Sequence, residues 1–524
     1  MDTRFPQIHG AMRIREQFDG ILNHYNMQQV TVAALVGMVL WAAVLGALGV
    51  IDYLPADILA GAALAVAVAV AVNSALAALA KAKSELSSSV ITALILALIV
   101  PPGLSEHWVF ITSAAAVASA SKYVVAADKQ HVFNPAAVAL VALALLFQEL
   151  TAAWWVGTPE MLPAVLVLGG LVVRKTRRTG VVVTFIVVYA VVFTVAAVAN
   201  TWEAVELAEA WRTSLGRSPL VYFAFIMMTD PITVPSHRLA RPLYVSLVAL
   251  LYVTPELQFL PFALTPEQAL CAGNAVSFLV RPRYRLSVPL IRKYRVGTDT
   301  WAFEFGPKPR MTFAPGQFME WTLPHSPADR RGQRRYFTIA SSPAEDHLTV
   351  IMRVPPSPST FKRALVTATD GTQVVAARLG GDFVLPRDLR GPIAFIAGGV
   401  GVAPFRSMAR HIVDTGKTCD AVLVYSNWRA DDILFRETFD SAEAHGLRTV
   451  YVLTDTSAAP VGWKGPLGLI DAEMIGREIP DYRIRTFYVS GPQTMVRSIG
   501  SALRGLGVPR SRIHRDYFDG ATDA

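Results

Sequence analysis

The string RYFTIASSP, from Arg335 to Pro343, groups three side chains that together could hold an anionic cofactor with a flat ring. The planar guanidinium of Arg335 can neutralise a diphosphate through paired hydrogen bonds. Phe337 offers an aromatic face against which a ring can pack. The hydroxyl of Thr338 can form a hydrogen bond at the edge of that ring. This combination predicts a site for a nucleotide-containing cofactor, and an ordinary strand is the alternative for this string alone.

A second string, AGGVGVAP from Ala397 to Pro404, lies between an apolar run and an amphipathic one. Gly398, Gly399 and Gly401 allow the backbone to approach a diphosphate closely. The start of the helix that follows adds positive potential. The string is neither a Walker loop nor a complete G-x-G-x-x-G sequence. It indicates a second nucleotide site, and a simple glycine-rich turn is the alternative.

Two kinds of domain are needed to position these strings. Residues 295–388 contain short alternating runs split by Gly, Pro and charges, which predict a small antiparallel β-barrel. In residues 389–524, apolar runs such as PIAFIA and AVLVYS alternate with helical stretches such as FRSMARHIV. This alternation predicts a doubly wound α/β domain with a parallel sheet.

In this order the strings resemble the ferredoxin–NADP reductase superfamily, whose flavin signature is R-x-[YF]-[ST]-x-x-S. The resemblance covers about residues 295–520 and implies FAD in the barrel and NADH or NADPH at the glycine loop. It implies that Arg335, Phe337 and Thr338 bind FAD, with Thr338 beside flavin N5. It also implies that the string IMRVPPSPSTFKRAL contacts the FAD diphosphate. The candidate residues in that string are Arg353, Ser359 and Thr360.

Two further strings carry the resemblance with one change each. The family has C-G-P-x-x-M and E-x-F-x-G near the nicotinamide and flavin N5, where this chain has YVSGPQTM and HRDYFDG. Ser490 replaces the cysteine and Asp516 the glutamate, and both join Thr338 as candidate catalytic residues. A hydroxyl can still orient the nicotinamide and a carboxylate can still accept a hydrogen bond, so hydride transfer is expected, at a reduced rate. The other cofactor-binding candidates in these strings are Gly491, Pro492 and Phe518.

The first half of the chain has a different composition. The whole chain is 53% hydrophobic and 17% charged, and charges are sparse before about residue 279. Apolar runs recur from residue 30 to residue 280 between short polar breaks, which predicts membrane-spanning helices. The third and eighth are short enough to be half-helices, and helix ends that lie further out are the alternative. We predict a polytopic bundle of ten helices, at 30–51, 57–80, 88–100, 107–126, 134–148, 161–173, 180–199, 219–229, 242–260 and 267–280.

Basic residues in the loops predict the orientation of this bundle. Lys and Arg concentrate in alternate loops, as at Arg174 and Lys175, whereas the intervening loops hold only Arg212 and Arg217. The positive-inside rule then places both chain ends in the cytoplasm. The same loops explain the net charge of +8 without nucleic acid as a partner. We therefore expect a multi-pass protein of the cytoplasmic (inner) membrane, surrounded by lipid.

Three strings of the bundle, SSSVITALILALIVPPG, KQHVFNPAAVAL and TDPITVPSHRLARPLY, are similar to a membrane subunit shared by two respiratory complexes. These are the D subunit of Rnf and the B subunit of the sodium-pumping NADH:quinone oxidoreductase. The resemblance implies a flavin, FMN or riboflavin, near Asn134, Thr229 and Asp230. Helix capping by Asn and helix ends at Pro are the alternative. The loop around Thr158 lacks the family's D-x-x-[ST]-G-A-T segment, so covalent FMN is not predicted.

Haem and iron–sulfur clusters are not expected from this sequence. An iron–sulfur cluster takes about four thiolates, and the chain has two cysteines, Cys271 and Cys419. Axial haem ligation needs paired histidines inside helices, whereas His107, His131 and His237 lie at predicted helix ends. The expected cofactors are FAD, NADH or NADPH, and optionally FMN or riboflavin in the membrane domain. Arg429 could pair with a 2′-phosphate, which leaves the choice between NADH and NADPH open.

These observations predict an FAD-dependent NAD(P)H oxidoreductase. FAD would take a hydride from NAD(P)H and release electrons singly into or across the bundle. The acceptors considered are a second flavin, a quinone, flavodoxin or ferredoxin, and an extracytoplasmic acceptor. A membrane-anchored ferredoxin or flavodoxin reductase and a redox-coupled ion transporter remain alternatives. The expected order is a cytoplasmic segment (1–29), a transmembrane domain (30–280), a linker (281–294), the FAD barrel (295–388) and the NAD(P) domain (389–524).

Overall fold

The structure, a computed structural model, divides into two compact units, Met1–Arg281 and Pro282–Ala524. The candidates Phe518, Arg217, His107 and His237 lie outside the described residues. The described residues are 25, 27–80, 86–102, 108–127, 130–146, 152–176, 178–199, 204–216, 219–230, 232–235, 240–254, 263–280, 285–307, 311–329, 332–386 and 388–517.

The first unit is helical wherever the sequence has a long apolar run. A two-stranded hairpin, β1 (Ala126–Ala127) and β2 (Gln130–His131), interrupts the series. A π-helical turn at Val165–Gly169 joins α6 to α7, and a 3-10 turn at Met227–Thr229 follows α10. The helices are α1 (Met27–Ala47), α2 (Pro55–Leu79), α3 (Leu86–Ile99), α4 (Trp108–Val124), α5 (Pro135–Leu146), α6 (Leu162–Ala164), α7 (Gly170–Thr176), α8 (Thr179–Ala199), α9 (Ala204–Gly216), α10 (Leu220–Phe225), α11 (Ala240–Tyr252) and α12 (Pro266–Val280).

Helical segments overlap all ten predicted positions, but the prediction of ten membrane spans is not supported at that number. Among the described residues, three helices are long and apolar enough to cross a membrane: Met27–Ala47, Pro55–Leu79 and Thr179–Val198. The others are shorter, and α3, for example, has 14 residues where a span needs about 20. Apolar runs predict where helices form, but the length of each helix decides whether it can cross a membrane alone.

Small residues allow close packing within this unit. The buried alanines of α2 and α4 face each other, and Ser119 Oγ donates to the carbonyl of Ala69 at 3.1 Å. Tyr123 then donates to Asn73 Oδ1 at 3.0 Å. Between these two helices the small residues therefore serve close packing.

The second unit begins with a six-stranded antiparallel sheet. The predicted linker 281–294 is wrong in part, because the first strand of this sheet, β3, begins at Arg285. The strand order is β6-β5-β8-β3-β4-β7. The pairings found among the described residues do not join the end strands β6 and β7, so closure into a barrel is not confirmed. The elements are β3 (Arg285–Arg295), β4 (Thr300–Phe305), β5 (Phe318–Thr322), β6 (Arg334–Thr338), β7 (Leu348–Arg353), α13 (Thr360–Thr367) and β8 (Gln373–Gly380).

The remainder of this unit is a parallel sheet with helices on both faces, as the alternating pattern predicted. The strand order β11-β10-β9-β12-β13 reverses direction between β9 and β12. Helices α14 and α15 pack on one face, and α16 and α17 on the other. Ligands of such sheets bind at the carboxyl ends of the strands where the order reverses. The elements are β9 (Ile393–Gly398), α14 (Ala403–Thr415), β10 (Ala421–Asn427), α15 (Arg436–Glu443), β11 (Leu447–Leu453), α16 (Ala472–Glu478), β12 (Thr486–Gly491), α17 (Gln493–Gly505) and β13 (Ile513–Tyr517).

Candidate functional site

The two glycine-containing strings of the parallel sheet meet at the point where its strand order reverses. Gly398 ends β9 and Gly491 ends the neighbouring strand β12. A Cβ atom on Gly401 would lie 2.6 Å from the Cα of Gly491 and from the carbonyl oxygen of Ser490. Gly399 has a left-handed backbone with φ of +52°. Glycine at position 401 is therefore required for the contact between these two turns.

Helix α14 starts directly after this loop, with Pro404 in its first turn. Its N-cap residue, Val402, supplies no side-chain hydrogen bond to the first amides. Free amides and the helix dipole favour an anion at this end. The sequence prediction of a diphosphate site at Gly398, Gly399 and Gly401 is compatible with this arrangement.

Ser490 and Asp516 lie beside each other on adjacent strands. The register of β12 and β13 pairs Ser490 with Asp516, and that of β12 and β9 pairs Ser490 with Ala397. Ser490 is fully buried, and its hydroxyl has no hydrogen-bond partner among the described residues. A buried hydroxyl without a partner costs about 1–3 kcal/mol. A polar ligand group that reached this hydroxyl would remove that cost. Pro492 follows β12 and is the N-cap of α17.

Strand β6, which carries the predicted flavin signature, places Arg335 beside a carboxylate that no sequence pattern predicts. The guanidinium donates from Nη2 to Oδ1 and Oδ2 of Asp329, at 3.1 and 3.3 Å. Asp329 also accepts from the backbone N–H of Thr360 at 3.2 Å. Its own N–H donates to Thr360 Oγ1 at 2.9 Å. Arg335 and Thr360, distant in sequence, are thus joined through one aspartate.

Helix α13 adds a second anion-binding element to this group. Ser359 is its N-cap and accepts from the N–H of Lys362 at 3.4 Å. The Cζ atom of Arg335 lies 5.3 Å from the ring centroid of Phe361. The first turn of a helix and a guanidinium are both suited to a diphosphate.

The remaining flavin candidates are distributed over two faces. Strand alternation places Arg335 and Phe337 on one face of β6 and Thr338 on the other. Phe337 packs against Phe361 with 5.9 Å between ring centroids, and Thr338 is buried. Arg353, at the end of β7, is largely exposed, and its Nη2 lies 3.6 Å from Asp299 Oδ2.

A buried carboxylate in the antiparallel sheet stays ionised. Glu304 accepts from Arg292 Nε at 2.9 Å and from the hydroxyl of Tyr294 at 2.8 Å. Burial alone would raise the pKa of Glu304, but these hydrogen bonds outweigh it and hold the pKa below its ordinary value. Glu304 is therefore unsuited to donate a proton near neutral pH.

Arg429, the candidate for a 2′-phosphate, follows β10. Its Nε lies 3.8 Å from Asp455 Oδ2, and its side chain is more than half exposed. A neighbouring carboxylate competes with a phosphate for the guanidinium. The geometry does not favour NADPH over NADH.

In the helical unit, Asn134 has a capping role. Its Oδ1 accepts from the N–H groups of Ala136 and Ala137, at 3.1 and 3.3 Å, so it caps α5 as the alternative interpretation proposed. Its own N–H donates to Asn274 Oδ1 at 2.8 Å, and Asn274 donates in turn to Tyr244 Oη at 2.8 Å. Asn134 thus belongs to a buried polar chain between α5, α11 and α12.

Thr229 and Asp230 end the short helical stretch after α10. The hydroxyl of Thr229 donates to the carbonyl of Phe225 at 2.9 Å. Asp230 Oδ2 lies 3.5 Å from His131 Nε2 and accepts from Thr233 Oγ1 at 3.3 Å. Ser277, one turn along α12 from Asn274, donates to the carbonyl of Thr233 at 2.6 Å. The segments that hold Asn134 and Asp230 therefore dock on the same face of α12.

Comparison with known proteins supports the reductase prediction. Residues 395–500 match the family model of the oxidoreductase NAD-binding domain. The reductase subunit Stc4 of stachydrine N-demethylase from Rhizobium meliloti is 26% identical over 207 residues, which is 39% of this chain and 58% of that protein. The glycine betaine monooxygenase reductase subunit of Chromohalobacter salexigens is 28% identical over 217 residues, 40% of this chain and 57% of that protein. The crystal structure of Amycolatopsis cytochrome P450 reductase GcoB matches with 27% identity and a TM-score of 0.41, covering 46% of this chain and 72% of that one. The chain thus spans less than two-thirds of the length of the first two relatives.

The exclusion of an iron–sulfur cluster from the cofactors is wrong. The relatives are reductase subunits of oxygenase systems, which often use a [2Fe–2S] cluster together with FAD and NAD(P)H. The cysteine count was misleading because it tests only a cluster bound entirely by thiolates of this chain. The cysteine count does not test for a cluster that a redox partner protein carries.

The prediction of an FAD-dependent NAD(P)H oxidoreductase is supported by the family model and by these relatives together. The family model does not reach the helical unit, and the likeness to Rnf D stays a prediction. The C-terminal half of the chain is similar to reductases that use FAD and a nicotinamide nucleotide.

Proposed function

We propose that this chain is a membrane-associated NAD(P)H oxidoreductase that passes electrons from a nicotinamide nucleotide, through FAD, to a one-electron acceptor. The contact between the loops at Gly401 and Ser490, at the reversal point of the parallel sheet, carries the proposal. FAD, when bound, would supply a carrier that accepts a hydride and releases electrons one at a time. Membrane association rests on the three long apolar helices.

In this proposal the chain's residues bind and orient two nucleotides. Arg335 and the first turn of α13, with Ser359 and Thr360, hold the FAD diphosphate, and Arg353 supports it from β7. Phe337 packs against the flavin and Thr338 lies beside N5. The glycine loop and the start of α14 hold the second diphosphate. Ser490 orients the nicotinamide, flanked by Gly491 and Pro492, and Asp516 accepts a hydrogen bond near N5. Phe518 remains a cofactor-binding candidate from the sequence alone.

The first candidate for the acceptor is an iron–sulfur protein of the oxygenase type. This choice is supported by the relatives named as reductase subunits of a demethylase and a monooxygenase. Flavodoxin, ferredoxin and quinone are the competing acceptors.

A second candidate function is electron transfer into the helical unit. It is favoured by the buried polar chain through Asn134, Asn274 and Tyr244 and by the His131–Asp230 pair beside it. Polar side chains within an apolar helical unit are costly and commonly mark a functional site. FMN or riboflavin near Asn134, Thr229 and Asp230 would be the acceptor in that case.

Flavin analysis of the full chain in detergent tests both candidates. We expect FAD in acid extracts, flavin bleaching by NADH or NADPH, and reduction of ferricyanide as an artificial acceptor. Absence of FAD, or FAD that neither nucleotide reduces, would overturn the proposal. A second flavin in addition to one FAD would favour transfer into the helical unit. One FAD per chain, with rapid reduction of an added [2Fe–2S] protein, would favour the soluble acceptor.

A further inference from the structure

Two neighbouring residues of α14 reach from the parallel sheet to the segment that follows the flavin strand. Arg406 Nη1 donates to the carbonyl of Ala340 at 3.0 Å, and Nη2 donates to Glu345 Oε1 at 2.8 Å. Nη1 also donates to the other carboxylate oxygen of Glu345. Ser407 Oγ donates to the carbonyl of Ser341 at 2.7 Å. The antiparallel and parallel sheets are therefore connected by directed hydrogen bonds.

The segment that these bonds hold continues directly from β6. Thr338 ends that strand, and Ala340 and Ser341 follow within three residues, all of them buried. The N–H of Ala340 donates to the carbonyl of Thr349 in β7 at 2.8 Å. Ser341 Oγ accepts from the N–H of Thr349 at 3.0 Å. The backbone after Thr338 is thus fixed by β7 on one side and by α14 on the other.

Arg406 is also close in the chain to the nucleotide loop. It lies in the first turn of α14, which begins at Ala403, two residues after Gly401. A helix is stiff over one turn, so a shift of Arg406 relative to β6 would also shift the loop. Resting on the proposed function, we propose that Arg406 is a positioning residue for hydride transfer. It sets the place of Thr338, and of the flavin beside it, relative to the nicotinamide loop.

The chemistry of the contact fits this role better than that of a simple charge pair. The side chains of Arg406 and Glu345 are 14% and 15% exposed. The planar guanidinium binds both carboxylate oxygens and a backbone carbonyl at once, which a lysine ammonium cannot do in the same geometry. A pair that served only stability would affect unfolding and leave the hydride-transfer step unchanged.

The test compares Arg406→Gln with Arg410→Gln in the full-length protein in detergent. Arg410 lies one turn further along α14 and pairs at 2.8 Å with Asp414 of its own helix. Anaerobic stopped-flow absorbance would give the limiting rate of flavin reduction at saturating NADH or NADPH, together with the apparent dissociation constant of the nucleotide. FAD content and thermal unfolding would be measured on the same samples. Arg406→Lys is the second variant, in case Arg406→Gln loses FAD.

We expect Arg406→Gln to lower the limiting rate by about 10²-fold, the effect of a misplacement of about 1 Å between reacting groups. The nucleotide dissociation constant and the FAD content should stay unchanged, and Arg406→Lys should have an intermediate rate. Arg410→Gln should match the wild type. Equal rates in Arg406→Gln, Arg406→Lys and the wild type would overturn the positioning role, as would an equal loss in the Arg410 control. A wild-type protein whose FAD neither nucleotide reduces would instead refute the proposed function itself.

Discussion

At the scale of single residues, the guanidinium of Arg335 in β6 is oriented by the carboxylate of Asp329. Asp329 holds Arg335 on one side and the first amide of α13 on the other. An oriented guanidinium loses less rotational freedom when it binds an anion than a free one does. Asp329 also occupies the guanidinium and the first amide of α13, so a diphosphate bound by Arg335 would have to share both with this carboxylate.

Replacement of Arg335 by alanine should weaken FAD binding. A hydrogen bond to a charged group contributes about 1.5–3 kcal/mol, which is about 10- to 150-fold in the dissociation constant. Arg334 is the matched control, because it lies on the other face of β6 and is 3.9 Å from Glu320. FAD titration of the deflavinated proteins by fluorescence quenching measures the effect. Equal affinity in Arg335→Ala and Arg334→Ala would contradict the assigned role.

The sequence could predict Arg335 but not Asp329, and the reason is physical. Arg335 stands in a local string whose spacing follows from strand geometry, whereas Asp329 lies in the loop before the strand and matches no pattern. The Arg406–Glu345 contact was missed for the same reason, since its partners are 61 positions apart. Contacts between distant segments depend on how sheets pack, which no short string records.

At the scale of elements, different kinds of contact hold the two edges of the parallel sheet together. The carboxyl edge holds turns that touch through glycine, and the amino edge is joined by charged side chains. Arg485 donates to Asp481 Oδ1 at 2.6 Å, to Asp420 Oδ1 at 2.8 Å and to the carbonyl of Ile393 at 2.9 Å. Charged side chains therefore stabilise the amino edge, and close glycine contacts pack the carboxyl edge.

Gly401→Ala should disrupt the carboxyl edge. Its Cβ would meet backbone atoms of Gly491 and Ser490 at 2.6 Å, so two turns would have to move apart. We expect a loss of stability of about 1–3 kcal/mol and loss of flavin reduction by the nucleotide, with FAD retained. Gly476→Ala is the control, because a Cβ there meets nothing within 4 Å and should be neutral or stabilising. Urea unfolding and flavin bleaching measure the two effects, and normal bleaching in Gly401→Ala would refute the loop contact.

Arg485→Ala should destabilise the amino edge without altering the reaction. We expect a loss of about 1–2 kcal/mol, because solvent screens the two exposed carboxylates and the hydrogen bond to the carbonyl of Ile393 is also lost. The Arg485 hydrogen bond holds the pKa of Asp481 below its ordinary value. The stability that this bond adds is present above the ordinary pKa of an aspartate and is lost as the pH falls through the lowered value.

Unfolding free energies of wild type and Arg485→Ala should therefore converge in acid. Arg477→Ala, which removes an exposed partner of the adjacent Glu478, should stay within about 0.5 kcal/mol of the wild type. A difference between wild type and Arg485→Ala that did not depend on pH would contradict the pKa argument.

Elements were predicted well where one periodicity dominated. The alternation of apolar runs and helical stretches predicts the parallel sheet, but the sequence pattern predicts a polar loop where α9 forms. Its acidic residues Glu206 and Glu209 interrupt the apolar pattern, while Trp211 packs against Phe193 with 4.8 Å between ring centroids. A surface helix of this kind can be recognised only from the residues against which it packs. Strand β3 was placed in a linker because charged residues crowd its exposed positions.

At the scale of the whole molecule, a helical unit and a reductase unit share one chain. The sequence predicts this division from its change in charge density, because charged residues are sparse in the helical unit and plentiful in the reductase unit. It could not show how many helices cross a membrane, because short apolar helices are also found in protein interiors.

The three long helices predict how the protein behaves when cells are fractionated. We expect the expressed chain to sediment with membranes, to resist alkaline carbonate and to dissolve in detergent. Each of the three helices is predominantly apolar and has 20 or more residues, enough to cross about 30 Å of hydrocarbon. Release by carbonate would show that the helical unit lies on the membrane surface instead.

Ser490 has a consequence for how flavin reduction responds to oxidants and thiol reagents. The chain's two thiols are Cys271 in the helical unit and Cys419 just before β10, at the amino edge, so neither belongs to the described carboxyl edge. Burial and the neighbouring Asp420 raise the pKa of the Cys419 thiol, which keeps little of it as reactive thiolate. Peroxide and maleimides should therefore leave flavin reduction intact, and loss of flavin reduction after either treatment would contradict this expectation. The hydroxyl of Ser490 cannot be oxidised to a sulfenic acid or a disulfide as a thiol can, so hydride transfer at the described carboxyl edge would survive conditions that inactivate thiol-dependent enzymes.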